Sequence, residues 1–412
     1  MRGIFAFSLV LIVYFLFGFY VSQVDPVVIP EKISRDTISK FYDYRGILNV
    51  HTRLSLGSGT IPEIVQAAKL AQMDFLILTD LNTFSSPHQD SYYENLLFLV
   101  GGKYSHLDSR LIHLPLKMGA LGSNLGESQI LLSDQLTNAA KESPESLLLL
   151  AHPYKTGFNW AGEIPQGLDG FELVNVKSLA QRAWELSKLS VFWTFLVYPF
   201  NPKLSFVRLF NEPSEELRLL DELSQSRRIL AYAGAEASAR AIPWSNYLMR
   251  FPSYEKSFEM FSNHVLMTSE LTGNLDGDKQ KIFTALKNGN HYLAFDLIGN
   301  PKGFLAVVEK GKDQYLMGSE IVFTPGLELK VSLPQKPLFF HEIVIYRNGE
   351  RAVTSNEETL TWKLSEPGAY RVQVRVSLPL PLPDTKKWVT WIYTNPFFIR
   401  DSGQINFGRV NR

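Results

Sequence analysis

Five apolar segments in the first three quarters of the chain end in, or contain, a residue that could bind a metal ion or take part in catalysis. RGILNV precedes His51, FLIL precedes Asp80, LLLLA precedes His152, GFELV contains Glu172, and ILAYA precedes Glu236. In α/β barrels and open α/β sheets the chemistry lies at the carboxyl ends of the strands. We therefore expect these imidazole and carboxylate side chains to share one rim.

The elements that position these residues follow two different patterns. From residue 45 to about 298, short apolar runs alternate with helix-like stretches, which predicts a mainly parallel sheet or barrel. One such helix begins at TIPE, where Thr60 and Glu63 can form a capping box. Residues 299–412 instead alternate at period two, and Asn348-Gly349 is a hairpin signal. We expect a separate antiparallel β-domain there.

The N-terminus carries an uninterrupted apolar stretch from Ile4 to Val21. Its length of roughly 27 Å as a helix matches the hydrocarbon core of a bilayer. Residues 1–23 are predicted to be an uncleaved membrane anchor, followed by a linker at 24–44. The body would then lie outside the cytoplasm, on the periplasmic side of the inner membrane in a Gram-negative cell. Secretion after signal cleavage is the alternative.

A second apolar run, LSVFWTFLVYPF at 189–200, is too short to span a bilayer. We expect it to be a core element, with contact to a membrane surface as the alternative. The chain has 41 basic and 41 acidic residues, so no electrostatic footprint points to nucleic acid. It has no cysteine, which excludes disulfides, zinc–cysteine sites and thiol nucleophiles.

The order and spacing of these residues resemble the PHP (polymerase and histidinol phosphatase) superfamily of metal-dependent phosphoesterases over roughly residues 45–298. The family pattern runs His-x-His, Ser-Asp-Gly, Thr-Asp-His, Gly-x-Glu, His-Pro and Asp-x-His. The ending WIYTNPFFI is similar to that of extracytoplasmic PHP-like proteins. The resemblance implies an α/β fold, a distorted (β/α)7 barrel, with two or three metal ions that activate water for attack on a phosphoester.

Several ligand positions of that pattern hold residues that cannot bind a metal ion. Asn49 replaces the first histidine, Leu56 the aspartate of Ser-Asp-Gly, and Leu81 the histidine of Thr-Asp-His. Lys103 stands where the bridging carboxylate belongs, and Arg110 is a candidate for a further replacement. Divalent cations need anionic oxygen or neutral imidazole, so a binuclear or trinuclear site is not expected.

The resemblance carries four functional positions over to residues that still match, namely His51, Asp80, His152 and Glu236. His51, His152 and Glu236 could hold one divalent ion (Mn, Zn or Fe), although tight binding is not expected. Asp80 would orient a ligand or a water molecule. Asn49 and Glu172 are expected behind these ligands.

Two classes of function remain open from the sequence. The first is a pseudoenzyme in the bacterial envelope that binds a partner or an anionic ligand. Lys103, Arg110 and His51 could bind that anion without metal. The second is a phosphoester hydrolase working with a single metal ion. A weaker third option is that the β-domain carries the function and the barrel resemblance is purely structural.

Overall fold

The computed structural model describes residues 2–29, 40–83, 89–106, 109–115, 124–138, 146–240, 242–244, 247–381 and 386–403. Within these ranges the fold is mixed α/β. The helices are α1 (Arg2–Ser22), α2 (Ile61–Leu70), α3 (Leu125–Asn138), α4 (Val176–Leu186), α5 (Lys188–Val197), α6 (Pro202–Leu209), α7 (Ser214–Ser226), α8 (Tyr254–Met260) and α9 (Leu275–Lys287).

The strands of the N-terminal two thirds form most of one large sheet. They are β1 (Tyr42–Val50), β2 (Phe75–Leu78), β3 (Ser91–Tyr93), β4 (Leu96–Val100), β5 (Gly102–His106), β6 (Ser109–Leu114), β7 (Leu147–Ala151), β8 (Gly170–Asn175), β9 (Leu230–Ala237), β10 (Ile242–Trp244), β11 (Tyr247–Met249), β12 (Ser262–Met267) and β13 (His291–Ala294). Only β10 and β11 stand apart, as a two-stranded pair.

The C-terminal third adds ten further strands. They are β14 (Leu305–Lys310), β15 (Asp313–Leu316), β16 (Glu320–Val322), β17 (Glu328–Ser332), β18 (His341–Arg347), β19 (Glu350–Ser355), β20 (Thr359–Lys363), β21 (Gly368–Pro379), β22 (Lys386–Thr394) and β23 (Phe397–Arg400). Four of them, β15, β14, β17 and β20, form a separate antiparallel sheet.

Much of the pairing in the N-terminal part of the large sheet is parallel. β1 lies parallel to both β2 and β9, β9 to β8, β8 to β7, and β2 to β4. The expected alternation fails at β5, β6 and β7, which pair antiparallel. Antiparallel neighbours need only a short connection, so no crossover helix lies between β5 and β6. The seven-stranded barrel of the PHP type stays a prediction.

The C-terminal strands are antiparallel, as the period-two pattern predicts, but they do not hydrogen-bond only among themselves. β22 pairs with β13, so the large sheet runs on across the expected boundary at residue 299. The Trp391 indole also donates to the carbonyl of Gly299 at 2.6 Å. The predicted hairpin at Asn348-Gly349 is confirmed, with φ angles of 52° and 89° joining β18 to β19. The capping box at Thr60 is confirmed as well.

Helix α1 is largely exposed and contacts the body at α5 and α6. The Tyr14 hydroxyl donates to the carbonyl of Leu196 at 3.0 Å. The Asn201 side-chain amide donates to two carbonyls at the end of α1. These are Val21, in the last turn, at 3.1 Å and Val24, just beyond the helix, at 2.7 Å. Among the described residues, α1 is the one helix long and apolar enough to cross a membrane, a property that signal sequences share.

The expectation that residues 189–200 form a core element is wrong. Most of this run is α5, an exposed helix whose Leu189, Phe192 and Phe195 side chains are 81%, 61% and 49% exposed. Its buried side chains are Thr194 and Val197. Apolar composition alone cannot distinguish a buried helix from one whose outer face is left without a protein partner.

Candidate functional site

A cluster of buried polar side chains lies at the strand ends, and Glu172 is at its centre. The other members of this cluster are Asn49, His51, Lys103, His152 and Glu236. Its carboxylate accepts from the side-chain amide of Asn49 at 2.6 Å, from that of Asn175 at 2.8 Å and from the His152 N–H at 3.1 Å. Burial raises the pKa of Glu172, while the charge of Lys103 opposes this shift. Gly234 leaves the room that this carboxylate needs, because a Cβ there would lie 1.7 Å from Glu172 Oε1.

The ammonium of Lys103 is completely buried in this cluster. It donates to Asn49 Oδ1 at 3.0 Å and lies 3.8 Å from Glu236 Oε1. Burial lowers its pKa to about 8, with Glu236 and Glu172 acting in the opposite direction. Lys103 also pairs through its backbone with Leu81. Two of the replaced ligand positions are therefore neighbours, and a cation lies inside the predicted metal site.

Glu236 is the buried anion that the surrounding lysines neutralise. Lys155 donates to both of its carboxylate oxygens, at 2.8 and 2.9 Å. Burial alone would raise the pKa of Glu236, but the charges of Lys103, Lys155 and Lys177 hold it well below its usual value. Lys177 lies close by, and no hydrogen bond or ion pair joins its ammonium to another residue in the described parts of the chain. Burial lowers the pKa of Lys177.

His51 and His152 are buried with free ring nitrogens. None of their four ring nitrogens has a hydrogen-bond partner within the described residues. Burial and the charge of Lys103 lower both pKa values, that of His152 to about 3. Both rings are therefore neutral near pH 7, each with one N–H donor and one acceptor nitrogen. Buried polar atoms are normally satisfied, so these four atoms are available to a bound ligand.

The backbone at three of these strand ends adopts a left-handed conformation. Asn49, His152 and Glu236 have φ angles of 64°, 36° and 43°. Such angles are uncommon for residues other than glycine and carry a cost that the surrounding structure must offset. Because these three residues end or follow β1, β7 and β9, the turns re-aim their side chains at the point where the strands meet.

Asp80 and Arg110 take positions at the edge of the cluster. Asp80 accepts from the Thr52 N–H at 2.7 Å, from the Thr52 hydroxyl at 2.6 Å and from the Ser55 hydroxyl at 2.5 Å. These bonds fix the loop after β1 to Asp80. The role of Asp80 in orienting a ligand or a water molecule stays a prediction. The Arg110 guanidinium lies 4.3 Å from the centre of the Phe158 ring. Burial lowers its pKa, and Glu236 opposes this shift.

Lysine side chains surround the residues that were predicted to hold a metal ion. Within the described part of the chain, no group of three or more His, Asp or Glu side chains is placed to hold one. His51, His152 and Glu236 share the cluster, but the Glu236 carboxylate is bonded to Lys155 and faces Lys103. A divalent cation would have to displace one ammonium and lie beside another. The predicted single-metal ligand set of His51, His152 and Glu236 stays a prediction.

Sequence reasoning missed two lysines beside the cluster, Lys155 and Lys177. Lys155 follows His152 by three residues, and Lys177 is the second residue after the end of β8. Both satisfy the rule that polar residues beyond a strand end belong to the site. The search for metal ligands passed over them because lysine is not a ligand of the divalent ions considered.

Comparisons with known proteins leave the family open. No protein-family model matches the chain, and no curated protein matches it. Solved structures do match, at low identity. PsfC from Pseudomonas syringae PB-5123 is 11% identical, with a TM-score of 0.34 over 60% of this chain and 96% of that one.

Two further solved structures that match are described as metal-dependent phosphoesterases. A two-domain protein from Bacteroides vulgatus ATCC 8482, described as containing a predicted PHP-like metal-dependent phosphoesterase, is 10% identical, with a TM-score of 0.37. It covers 89% of this chain and 98% of its own. A candidate metal-dependent phosphoesterase from Bifidobacterium adolescentis ATCC 15703 is 12% identical, with a TM-score of 0.23. That match covers 50% of this chain and 92% of the other. At these identities and TM-scores the likenesses assign neither a family nor an activity to this chain.

Proposed function

We propose that this protein is a membrane-anchored pseudoenzyme that binds an anionic ligand in the buried cluster, without a metal ion. The observation that carries the proposal is the burial of Lys103, whose ammonium lies among former ligand positions and donates to Asn49. An ammonium is a point-charge ligand for phosphate and other anions. Two neutral imidazoles can supply further N–H donors to the same anion.

The charge balance of the cluster supports an anion. Four cationic side chains interact electrostatically with the Glu236 carboxylate, namely Lys103, Lys155, Lys177 and Arg110. The second carboxyl group, Glu172, has a raised pKa and three hydrogen-bond donors of its own. The cations therefore exceed the anions even when both carboxyl groups are ionised. An added anion would reduce the cost of keeping these charges away from water.

The contacts of α1 support its role as an uncleaved anchor. Its end is bonded to Asn201, and its Tyr14 side chain is bonded to α5, so it packs on the folded body instead of trailing from it. The exposed apolar face of α5 lies beside α1, where a bilayer around α1 would cover it. We propose an extracytoplasmic location for the body, on the basis of the single positive charge that precedes the apolar stretch.

A phosphate titration of the full chain, held in amphipol, tests anion binding. Lys177→Met removes one ammonium that bonds no other described residue, so we expect folding to be unchanged and phosphate affinity to fall about tenfold, as for a lost charge-assisted hydrogen bond. Lys336→Met, at an exposed position, is the matched control. Equal phosphate affinity in the wild type and Lys177→Met, measured by isothermal titration calorimetry, would contradict the proposal.

The unbonded ring nitrogens of His51 and His152 favour a second candidate, a hydrolase working with one metal ion. Metal content distinguishes the two candidates. The full chain is incubated with manganese or zinc and desalted, and the retained metal is measured by elemental mass spectrometry. One ion per chain that is lost in His152→Ala would support the hydrolase, whereas no retained metal supports the pseudoenzyme.

A further inference from the structure

An apolar cavity of about 440 Å³ opens beside the cationic cluster, between α4, α6, α8 and the end of β9. This volume lies within the range of about 300–1,000 Å³ that is usual for small-molecule sites. Lys155, Lys177 and Glu236 line the end next to the cluster. The rest is mainly apolar, and its bulky side chains are Phe206, Phe210, Phe251, Met260, Phe261 and Phe295.

We propose that the ligand is a single-chain anionic amphiphile, with its phosphate or carboxylate headgroup at the lysines and its hydrocarbon chain in this cavity. The inference rests on the proposed anion site and adds the chemical class of the ligand. A water-soluble anion such as inorganic phosphate would fill only the lysine end. The apolar part would then make no contact with the ligand.

The cavity wall is built from aromatic rings that pack on one another. The Phe261 and Phe295 rings stack at 4.6 Å between centroids, and Phe210 stacks on Phe295 at 4.9 Å. These three rings also belong to the main hydrophobic core of the protein. A chain entering the cavity would therefore gain contacts without ordering its walls, which is the condition under which apolar burial converts efficiently into affinity.

The wall also connects the cavity to the part of the protein that contacts α1. Phe251 packs against Tyr198 at 4.8 Å and Phe195 at 5.6 Å, and both of these residues lie at or next to α5. The neighbouring turn of α5 accepts the Tyr14 hydroxyl from α1. The cavity thus adjoins the face expected to meet the bilayer, which is the natural source of an amphiphile.

The polar end sets the sign of the headgroup. Lys155 is already bonded to Glu236, but the ammonium of Lys177 also lines the cavity and bonds no other described side chain. A cationic headgroup would meet these two ammonium groups, whereas an anionic headgroup can accept from Lys177. The arrangement therefore selects against cationic amphiphiles of the same chain length.

The test measures affinity against chain length in the full protein held in amphipol. Inorganic phosphate, butyl phosphate, hexyl phosphate and octyl phosphate are titrated by calorimetry, with empty amphipol as the blank. Burial of each methylene predicts a gain of about fourfold in affinity until the cavity is filled. Octanoate distinguishes a carboxylate from a phosphate headgroup, and octyltrimethylammonium tests the sign of the charge.

Ala180→Phe tests whether the chain lies in this cavity. Ala180 is an exposed residue of α4 that lines the cavity, so a phenyl ring there can fill the space with little cost to folding. We expect octyl phosphate to lose at least ten times more affinity than inorganic phosphate does. The matched control is Ala352→Phe, at an exposed alanine of β19.

The outcomes separate this inference from the proposed function. Affinity that rises with chain length and falls in Ala180→Phe supports the amphiphile, with either headgroup. If inorganic phosphate binds and octyl phosphate binds no tighter, the amphiphile is excluded and the anion site stands. If neither binds, both proposals fail. Equal binding of octyltrimethylammonium, or octyl phosphate binding that Ala180→Phe leaves unchanged, also overturns the inference.

Discussion

Replacement of Lys103 by methionine is expected to stabilise the protein while removing part of the proposed anion site. The side chain is completely buried, and its ammonium bonds Asn49 at 3.0 Å with Glu236 at 3.8 Å. Methionine has a similar length and no charge, so it can fill the same space. Glu236 keeps its two bonds to Lys155 in the variant and does not become an unpaired buried charge.

The magnitude follows from the pKa of Lys103, which burial lowers from 10.5 to about 8. Keeping this group charged in the folded state at pH 7 therefore costs about 3 kcal/mol. Methionine removes that cost but loses the bond to Asn49, which is worth about 1 kcal/mol. We expect Lys103→Met to raise the free energy of unfolding at pH 7 by about 2 kcal/mol.

The pH dependence has a defined sign. A lysine whose folded pKa is lowered imposes its cost in full below that pKa, and the cost is relieved as the pH rises from about 8 toward 10.5. The wild type should therefore gain stability relative to the variant in this window. The difference of about 2 kcal/mol at pH 7 should shrink to nearly zero by about pH 10.

Chemical denaturation of the full chain in detergent micelles, followed by tryptophan fluorescence at pH 7 and pH 10, measures this difference. Lys336→Met, at an exposed lysine, is the matched control and should leave the free energy of unfolding nearly unchanged at both values. The reasoning is refuted if Lys103→Met is the less stable protein at pH 7, or if the difference between the two proteins is the same at both pH values.

Three further substitutions test other parts of the fold by the same denaturation assay. Burial lowers the pKa of His264, but its partners Asp43 and Asp296 raise it to about 9. The free energy of unfolding of the wild type should therefore fall by about 3 kcal/mol as the pH rises from about 6.5 to about 9.5. His264→Gln should abolish that slope, and a persisting slope would exclude this cause. Asn201→Ala, which removes both bonds to the end of α1, should cost about 1–3 kcal/mol and speed proteolysis near residue 23; unchanged proteolysis would count against it. Gly234→Ala should cost about 1–3 kcal/mol because its Cβ meets Glu172, and a neutral effect would show that the carboxylate moves freely.

Much of the local structure could be predicted because its causes are local. The helix after Thr60 begins where a capping pair and a proline allow it, and the hairpin at Asn348-Gly349 forms where both residues tolerate positive φ. The same applies to the apolar stretch that became α1. In each case the residues that decide the conformation lie within a few positions of one another.

The sheet and the surface were predicted less well because they depend on distant partners. Nothing in the residues of β5, β6 and β7 distinguishes strands that pair antiparallel from strands that pair in parallel. The apolar run at 189–200 has the composition of a core element, yet no part of the described body covers its outer face. Pairing and burial are decided by segments far away in the chain, which local periodicity does not report.

The sequence by itself determined which side chains stand at the strand ends, and therefore that a lysine and a leucine stand where the PHP pattern would have metal ligands. Only the tertiary structure decided what Lys103 does there. Its burial, its bond to Asn49 and its distance to Glu236 involve residues 54 and 133 positions away. Desolvation and Coulomb interactions depend on distances in space. The same packing placed Lys155, Lys177 and an apolar cavity near that lysine, which is the arrangement from which the anion site is proposed.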